Sequence, residues 1–157
     1  MKFESRGIVL DIRIITVADF SACAETLVAA FKEEPWNENW TLESANTRID
    51  EMMASRMSRG YIIRDDDTVV AMCIGRVMTY MDFKELFIDE FSVHPRYQGQ
   101  GLGSRLMEFA KSELQKEGIY AMVLNTEKDY PAVKFYEKNG FKILDKLVFM
   151  ASSFEHE

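Results

Sequence analysis

The segment Val93-His94-Pro95-Arg96-Tyr97-Gln98-Gly99-Gln100-Gly101-Leu102-Gly103-Ser104 decides how the rest of the chain is read. Before it stands an apolar run, Leu86-Phe87-Ile88 with Phe91 and Val93, which predicts a strand. After it, apolar residues at Leu102, Leu106, Phe109, Ala110 and Leu114 predict a helix. Gly99, Gly101 and Gly103 therefore occupy a strand-to-helix turn. In such a turn the backbone can approach a ligand closely, and free N–H groups and the helix dipole point at an anion. The turn reads as a phosphate-binding device.

Spacing narrows its owner. A P-loop carries Lys and then Ser or Thr after its last Gly, whereas Ser104-Arg105 follows Gly103. A dinucleotide-binding turn needs Gly-x-Gly-x-x-Gly in an N-terminal βαβ unit, but Ser104 takes the third glycine's position and the turn lies past mid-chain. What remains is Gln98-x-x-Gly101-x-Gly103 after a Val-x-Pro strand end. Downstream comes Asp129-Tyr130-Pro131-Ala132-Val133-Lys134-Phe135-Tyr136-Glu137-Lys138-Asn139-Gly140-Phe141.

In order and separation, these two stretches resemble the acyl-CoA-binding turn and the helix-to-last-strand segment of the GNAT superfamily of N-acetyltransferases. The resemblance runs from about Ile8 to Met150. It implies an α/β fold, with a mixed, mostly antiparallel central sheet flanked by helices. It also implies acetyl-CoA as the acetyl donor, no metal, and a single N-acetyltransferase domain over residues 1–157. A homodimer is compatible with it.

Bulk properties agree. The 157 residues are 47% hydrophobic, about one domain's worth, with no internal repeat and no linker-like tract. The net charge of −7 argues against a general nucleic-acid binder, which needs a basic face. No apolar run reaches membrane-spanning length and Met1–Arg6 lacks a signal-peptide core, so a soluble cytoplasmic protein is expected. Cys23 and Cys73 are isolated in apolar surroundings and read as core residues. Asp65-Asp66-Asp67 reads as a solvated hairpin turn rather than a metal cluster.

The pattern of apolar residues predicts β-α-α-β-β-β-α-β-α-β. Ile8–Ile15 alternates as a first strand, and Thr16 can cap a helix over Phe20–Phe31. Thr41 opens a second helix over Ile49, Met52, Met53 and Met57, closed by Gly60. Strands follow at 61–64, 69–80 and 84–93, then a helix at 101–117 ending on Gly118. Ile119–Thr126 reads as a strand, Pro131–Lys138 as a short helix, and Phe141–Met150 as the final strand or strand pair.

Acetyl transfer needs a held donor, a deprotonated amine and a protonated leaving thiolate. Gly99, Gln100, Gly101, Leu102, Gly103 and Ser104 would hold the pyrophosphate through backbone N–H groups, with Gln98 at the turn's start. The resemblance implies that the pantetheine arm runs along Phe91-Ser92-Val93, and that Tyr136 protonates the thiolate. Asp129 falls where relatives carry an Asn on pantetheine; Asp loses the amide donor, and an N-cap role competes. Glu90 and Asp89 are both candidate bases, Glu90 having the longer reach, and adjacent strand positions point to opposite faces. A carboxylate merely satisfied by a neighbouring Arg is the competing reading. Neither His94, in the turn, nor His156, in the tail, competes as base.

The acceptor side reads Glu33-Glu34-Pro35-Trp36-Asn37-Glu38-Asn39-Trp40-Thr41-Leu42-Glu43, holding both tryptophans and no basic residue. Aromatic faces beside carboxylates suit a cation, so Trp36, Glu38 and Trp40 are candidate acceptor contacts. This stretch also resembles bacterial aminoglycoside 6′-N-acetyltransferase-like members of the superfamily. An aminoglycoside- or polyamine-like amine is the expected acceptor. A peptide N-terminus or lysine is the alternative, and a non-catalytic acyl-CoA-binding module the rival from another class. Packing of the inter-helix loop by the tryptophans is the structural alternative for that stretch.

Overall fold

Strand formation here begins earlier than alternation suggested. In the computed structural model, which describes residues 1–155, Lys2–Ser5 (β1) pairs antiparallel with Ile8–Ile14 (β2). Arg6 and Gly7, both at positive φ, make the turn between them. Lys2-Phe3-Glu4-Ser5 offers a single apolar residue, so no period was visible there. His156 lies outside the described residues.

A 3₁₀ turn, Val17–Asp19, leads into α1 (Phe20–Lys32), and α2 spans Leu42–Met52 behind a Thr41–Ser44 capping box. The expected extension of α2 to Gly60 does not form. Ser55 accepts from the Met57 N–H at 3.0 Å, and the Ser58 hydroxyl donates to the Met52 carbonyl at 2.6 Å. These hydroxyls give the backbone an alternative to helix, and Gly60 falls inside β3 (Ser58–Asp65). β4 (Thr68–Tyr80) and β5 (Phe83–Val93) complete an antiparallel meander. α3 (Leu102–Lys116) then carries the chain to β6 (Ala121–Leu124), which lies parallel to β5. The sheet order is β1-β2-β3-β4-β5-β6.

Both faces of this sheet are covered. Tyr61 meets Phe109 of α3 edge to face, while the next residue, Ile62, joins Leu27, Ile49, Met72 and Ile74 beneath α1 and α2. That is why β4 reads as an unbroken apolar run, Val69 to Ile74, rather than an alternation. Each such fully buried aliphatic side chain contributes about 1.5–3 kcal/mol. Cys23 and Cys73 are buried and free, and burial pushes each thiol up to about 12, which keeps them protonated members of this core.

The chain divides into two compact units, Met1–Leu124 and Asn125–Glu157. The second contains α4 (Ala132–Lys138), closed at Asn139 and a left-handed Gly140. The strand expected over Phe141–Met150 is absent among the described residues. Its apolar side chains, such as Ile143, Leu147 and Phe149, are exposed, and a Leu147 N–H to Leu144 carbonyl bond turns the chain there. Apolar composition makes a strand only where a neighbour supplies the ladder, and no strand lies among the described residues of this unit to supply one.

Candidate active site

The glycine turn is built onto the end of β5. The His94 N–H donates to the Val70 carbonyl at 2.7 Å, and Pro95–Tyr97 forms a 3₁₀ turn whose Arg96 N–H donates to His94 Nδ1. Tyr97 anchors it to the β3–β4 hairpin, its hydroxyl donating to Asp65 at 2.6 Å. Gln98 bonds back to the Val93 carbonyl at 3.0 Å, so its amide closes the turn. Gly99 and Gly101 have φ of 72° and 74°, the left-handed region that favours glycine. Nothing stands within 4 Å of where a Cβ would project from either, so ligand atoms have room to approach the backbone. Gly101 is the N-cap of α3, with no side chain to occupy the first N–H groups of that helix. The residues present fit an anionic phosphate group.

Just before the turn, β5 and β6 part. Their pairing covers only Glu85–Ile88 against Ala121–Leu124, and β5 continues to Val93 beyond it. Phe91, Ser92 and Val93 lie on this continuing stretch. The Ser92 hydroxyl is buried and without a hydrogen-bond partner.

The same stretch carries the candidate bases. The β4–β5 register slips between Ile74 and Gly75, leaving Asp89 opposite no residue of β4, as the extra residue of a bulge. A Cβ on Gly75 would run into the Phe87 carbonyl, so the close approach of the two backbones beside the bulge needs glycine. The two carboxylates then go to different partners. Asp89 receives a two-point bond from Arg76 of β4, at 2.9 and 2.8 Å. Glu90, only 9% exposed, receives the Arg48 Nε–H of α2 at 2.9 Å. Burial pushes the Glu90 carboxyl up; Arg48 draws it down without cancelling that, and Glu38 and Asp89 add to the rise.

Glu90 is thereby joined to the side chains around Trp40. The Arg48 guanidinium lies 5.6 Å from the centroid of the Trp40 ring, and Trp40 Nε1 donates to Glu38 at 2.8 Å. A groove of about 470 Å³ beside them is lined by Trp40, Thr41, Ser44, Arg48 and the acidic Glu43 and Glu51. Trp40 also packs against the α1–α2 core, the structural role expected for it. Trp36 meets Phe31 of α1 edge to face, ring centroids 5.3 Å apart.

In the second unit, Tyr136 is half-buried on α4, with edge-to-face ring contacts to Phe135 and Phe141. Asp129 lies exposed in the preceding turn. It is not the helix cap, because Pro131 takes that position and the Tyr130 carbonyl accepts the Val133 N–H.

Sequence reasoning missed Arg48, Arg76 and the Tyr97–Asp65 tie. Arg48 had a signal, being the one basic residue of α2 and lying near its buried stripe of Ala45, Ile49 and Met52. The Arg76 pair depends on strand register, which the sequence did not display. Among the described residues, no three His, Cys, Asp or Glu side chains are grouped to hold a metal ion, and no helix is long and apolar enough to cross a membrane.

The model of the acetyltransferase (GNAT) family matches residues 23–141. No curated protein matches the sequence. Among solved structures, a possible acetyltransferase from Clostridium difficile 630 is similar with a TM-score of 0.77 and 18% identity, covering 93% of this chain and 99% of that one. An aminoglycoside acetyltransferase from an uncultured soil metagenomic sample, in complex with sisomicin, gives 0.73 at 14% identity, covering 93% and 97%. A ribosomal-protein-alanine N-acetyltransferase from Brucella melitensis biovar Abortus 2308 gives 0.71 at 16%, covering 92% and 99%. At these identities the likeness is one of fold.

Proposed function

The chain belongs to the acetyltransferase (GNAT) family and is an acetyl-CoA-dependent acetyltransferase, and from that premise we propose that its acceptor is a primary amine of a small, positively charged molecule, aminoglycoside- or polyamine-like. The observation that carries this reading is that the acceptor-side cluster already holds a cation: the Arg48 guanidinium sits between the Glu90 carboxylate and the Trp40 face. An ammonium makes the same kinds of contact.

The reaction is a direct transfer in a ternary complex. The turn from Gly99 to Ser104 binds the donor's pyrophosphate through backbone N–H groups, and Phe91-Ser92-Val93 offer backbone groups to the pantetheine amides. Gln98 supports the turn, and Asp129 offers pantetheine hydrogen-bond acceptors only. Glu90 takes the proton of the ammonium. The free amine attacks the thioester carbonyl, an N–C bond forms, and the C–S bond breaks. Tyr136 gives its proton to the departing thiolate, and the proton shed by the new amide nitrogen restores the phenol. Its part in this rests on its position in the Phe135-Tyr136-Glu137-Lys138 motif. Trp36, Glu38 and Trp40 contact the acceptor.

The test is release of free CoA from acetyl-CoA with a panel of polyamines, aminoglycosides, lysine peptides and peptides with free N-termini. Turnover is expected with the first two groups. Turnover confined to peptides would replace the acceptor class, and saturable acetyl-CoA binding with no turnover of any amine would favour a binding module. For Tyr136→Phe, kcat is expected to fall by about 10²-fold, the size of one general acid. A wild-type kcat across the pH range would remove Tyr136 from the mechanism.

A further inference from the structure

Arg48 and Glu90 form an unequal pair. The carboxylate side chain is 10% exposed and the guanidinium side chain 39%, and they meet through a single Nε–H bond. Arg48 makes no other hydrogen bond or ion pair among the described residues; its remaining contact is the Trp40 face. A buried anion is thus neutralised by a cation that reaches it from the solvent side and is loosely held. The guanidinium is part-exposed and held by a single hydrogen bond, so water can take it over when another cation reaches the carboxylate. Around it stand Glu38, Glu43 and Glu51, which carry negative charge that Arg48 alone does not balance.

We propose that Arg48 is a resident cation occupying the position of the acceptor's ammonium, and that an acceptor reaches Glu90 and Trp40 only by displacing it. This rests on the cationic-acceptor reading above and sharpens its substrate class. A singly charged amine merely exchanges one cation for another. An acceptor with further ammonium groups also gains the surrounding glutamates, so Arg48 selects for multiply charged amines. Arg48 is a specificity-determining residue, and it holds Glu90 ionised until the acceptor arrives.

Equilibrium binding of spermidine, followed by calorimetry without acetyl-CoA, tests this apart from turnover. Arg48→Gln is expected to bind spermidine more tightly than wild type by about fivefold or more, since the competing cation is gone. Arg48→Lys, which keeps a cation, is expected to stay near wild type and shows that the change follows charge. Unchanged or weaker binding by Arg48→Gln, with thermal stability retained, overturns the proposal. A pH profile supplies a readout that packing alone would not move. In Arg48→Gln, Glu90 keeps the repulsion of Glu38 and Asp89 and loses its cation, so the acidic limb of kcat/KM moves to higher pH. A limb that stays in place overturns the proposal equally. Spermidine turnover by an enzyme whose Arg48→Gln variant binds no tighter would remove this inference and leave the acceptor class standing. Tighter spermidine binding by the variant without polyamine turnover would do the reverse.

Discussion

Replacing Glu90 with Gln is expected to lower kcat by about 10²-fold or more, with acetyl-CoA binding retained. Glu90 is the proposed base because three conditions meet in it. It is buried, so its carboxyl sits above the ordinary range and can accept a proton from an amine with less mismatch. It lies on the part of β5 that runs past β6 toward the glycine turn. It also meets α2 through Arg48, a lining residue of the groove, whereas Asp89 is engaged by Arg76 in a two-point bond. The sign of the pH effect follows from the raised carboxyl. Below its titration point Glu90 is protonated and cannot act, so kcat/KM rises with pH through that point. Gln has no such transition, and the variant's residual activity should lose that limb. Loss of Glu90 leaves Arg48 without its ion-pair partner, but the guanidinium is part-exposed and stays hydrated, so Tm should change little. Asp89→Asn serves as the comparison. If it abolishes turnover while Glu90→Gln retains the wild-type rate and pH limb, the base is Asp89.

The glycine turn was legible because glycines and helix starts are local. Gly99 and Gly101 take left-handed φ whatever the rest of the chain does, and the apolar positions Leu102, Leu106, Ala110 and Leu114 all lie on the buried face of α3. The cluster around Trp40 was legible as composition and not as arrangement. Trp40, Glu38 and Glu90 could be nominated from the sequence, but Arg48 joins them only because the fold brings its side chain on α2 within reach of Glu90 on β5, a tertiary fact. Asp89 and Glu90 could be separated only once the bulge was known, since a bulge changes where neighbouring side chains point. Phe141–Met150 shows the opposite failure. An apolar, β-prone stretch predicts a strand, yet strand formation depends on a partner edge that no local pattern records. β1 was missed for the mirror-image reason. Its partner β2 makes it a strand despite a sequence with one apolar side chain.

Asp19→Ala is expected to cost about 3–5 kcal/mol of folding stability, the range for removing one partner of a buried ion pair. Asp19 is fully buried and ends the turn before α1. Arg13 of β2 grips its carboxylate with two nitrogens at 2.7 Å, and Arg64 of β3 adds a third contact. The Thr16 backbone N–H donates to it at 2.8 Å and the Thr16 hydroxyl at 3.0 Å. One carboxylate therefore joins two strands to the start of a helix, and its loss strands two guanidinium groups. Both are partly exposed, which favours the lower part of the range. Against a typical domain stability of roughly 5–15 kcal/mol this is a large fraction, visible as a lower urea midpoint at unchanged m. Burial by itself would raise the Asp19 carboxyl, but the bonds from Arg13, Thr16 and Arg64 outweigh it and hold it far below the usual range. A depressed folded value means that the contribution is fully present above the unfolded carboxylate value, near 3.9, and fades as pH falls below it. Wild type should thus lose stability between about pH 4 and 2 more steeply than Asp19→Asn, which has no such proton to bind. Parallel acid-denaturation curves for the two, together with a loss under about 1 kcal/mol at pH 7, would reduce the network to the rank of a surface pair.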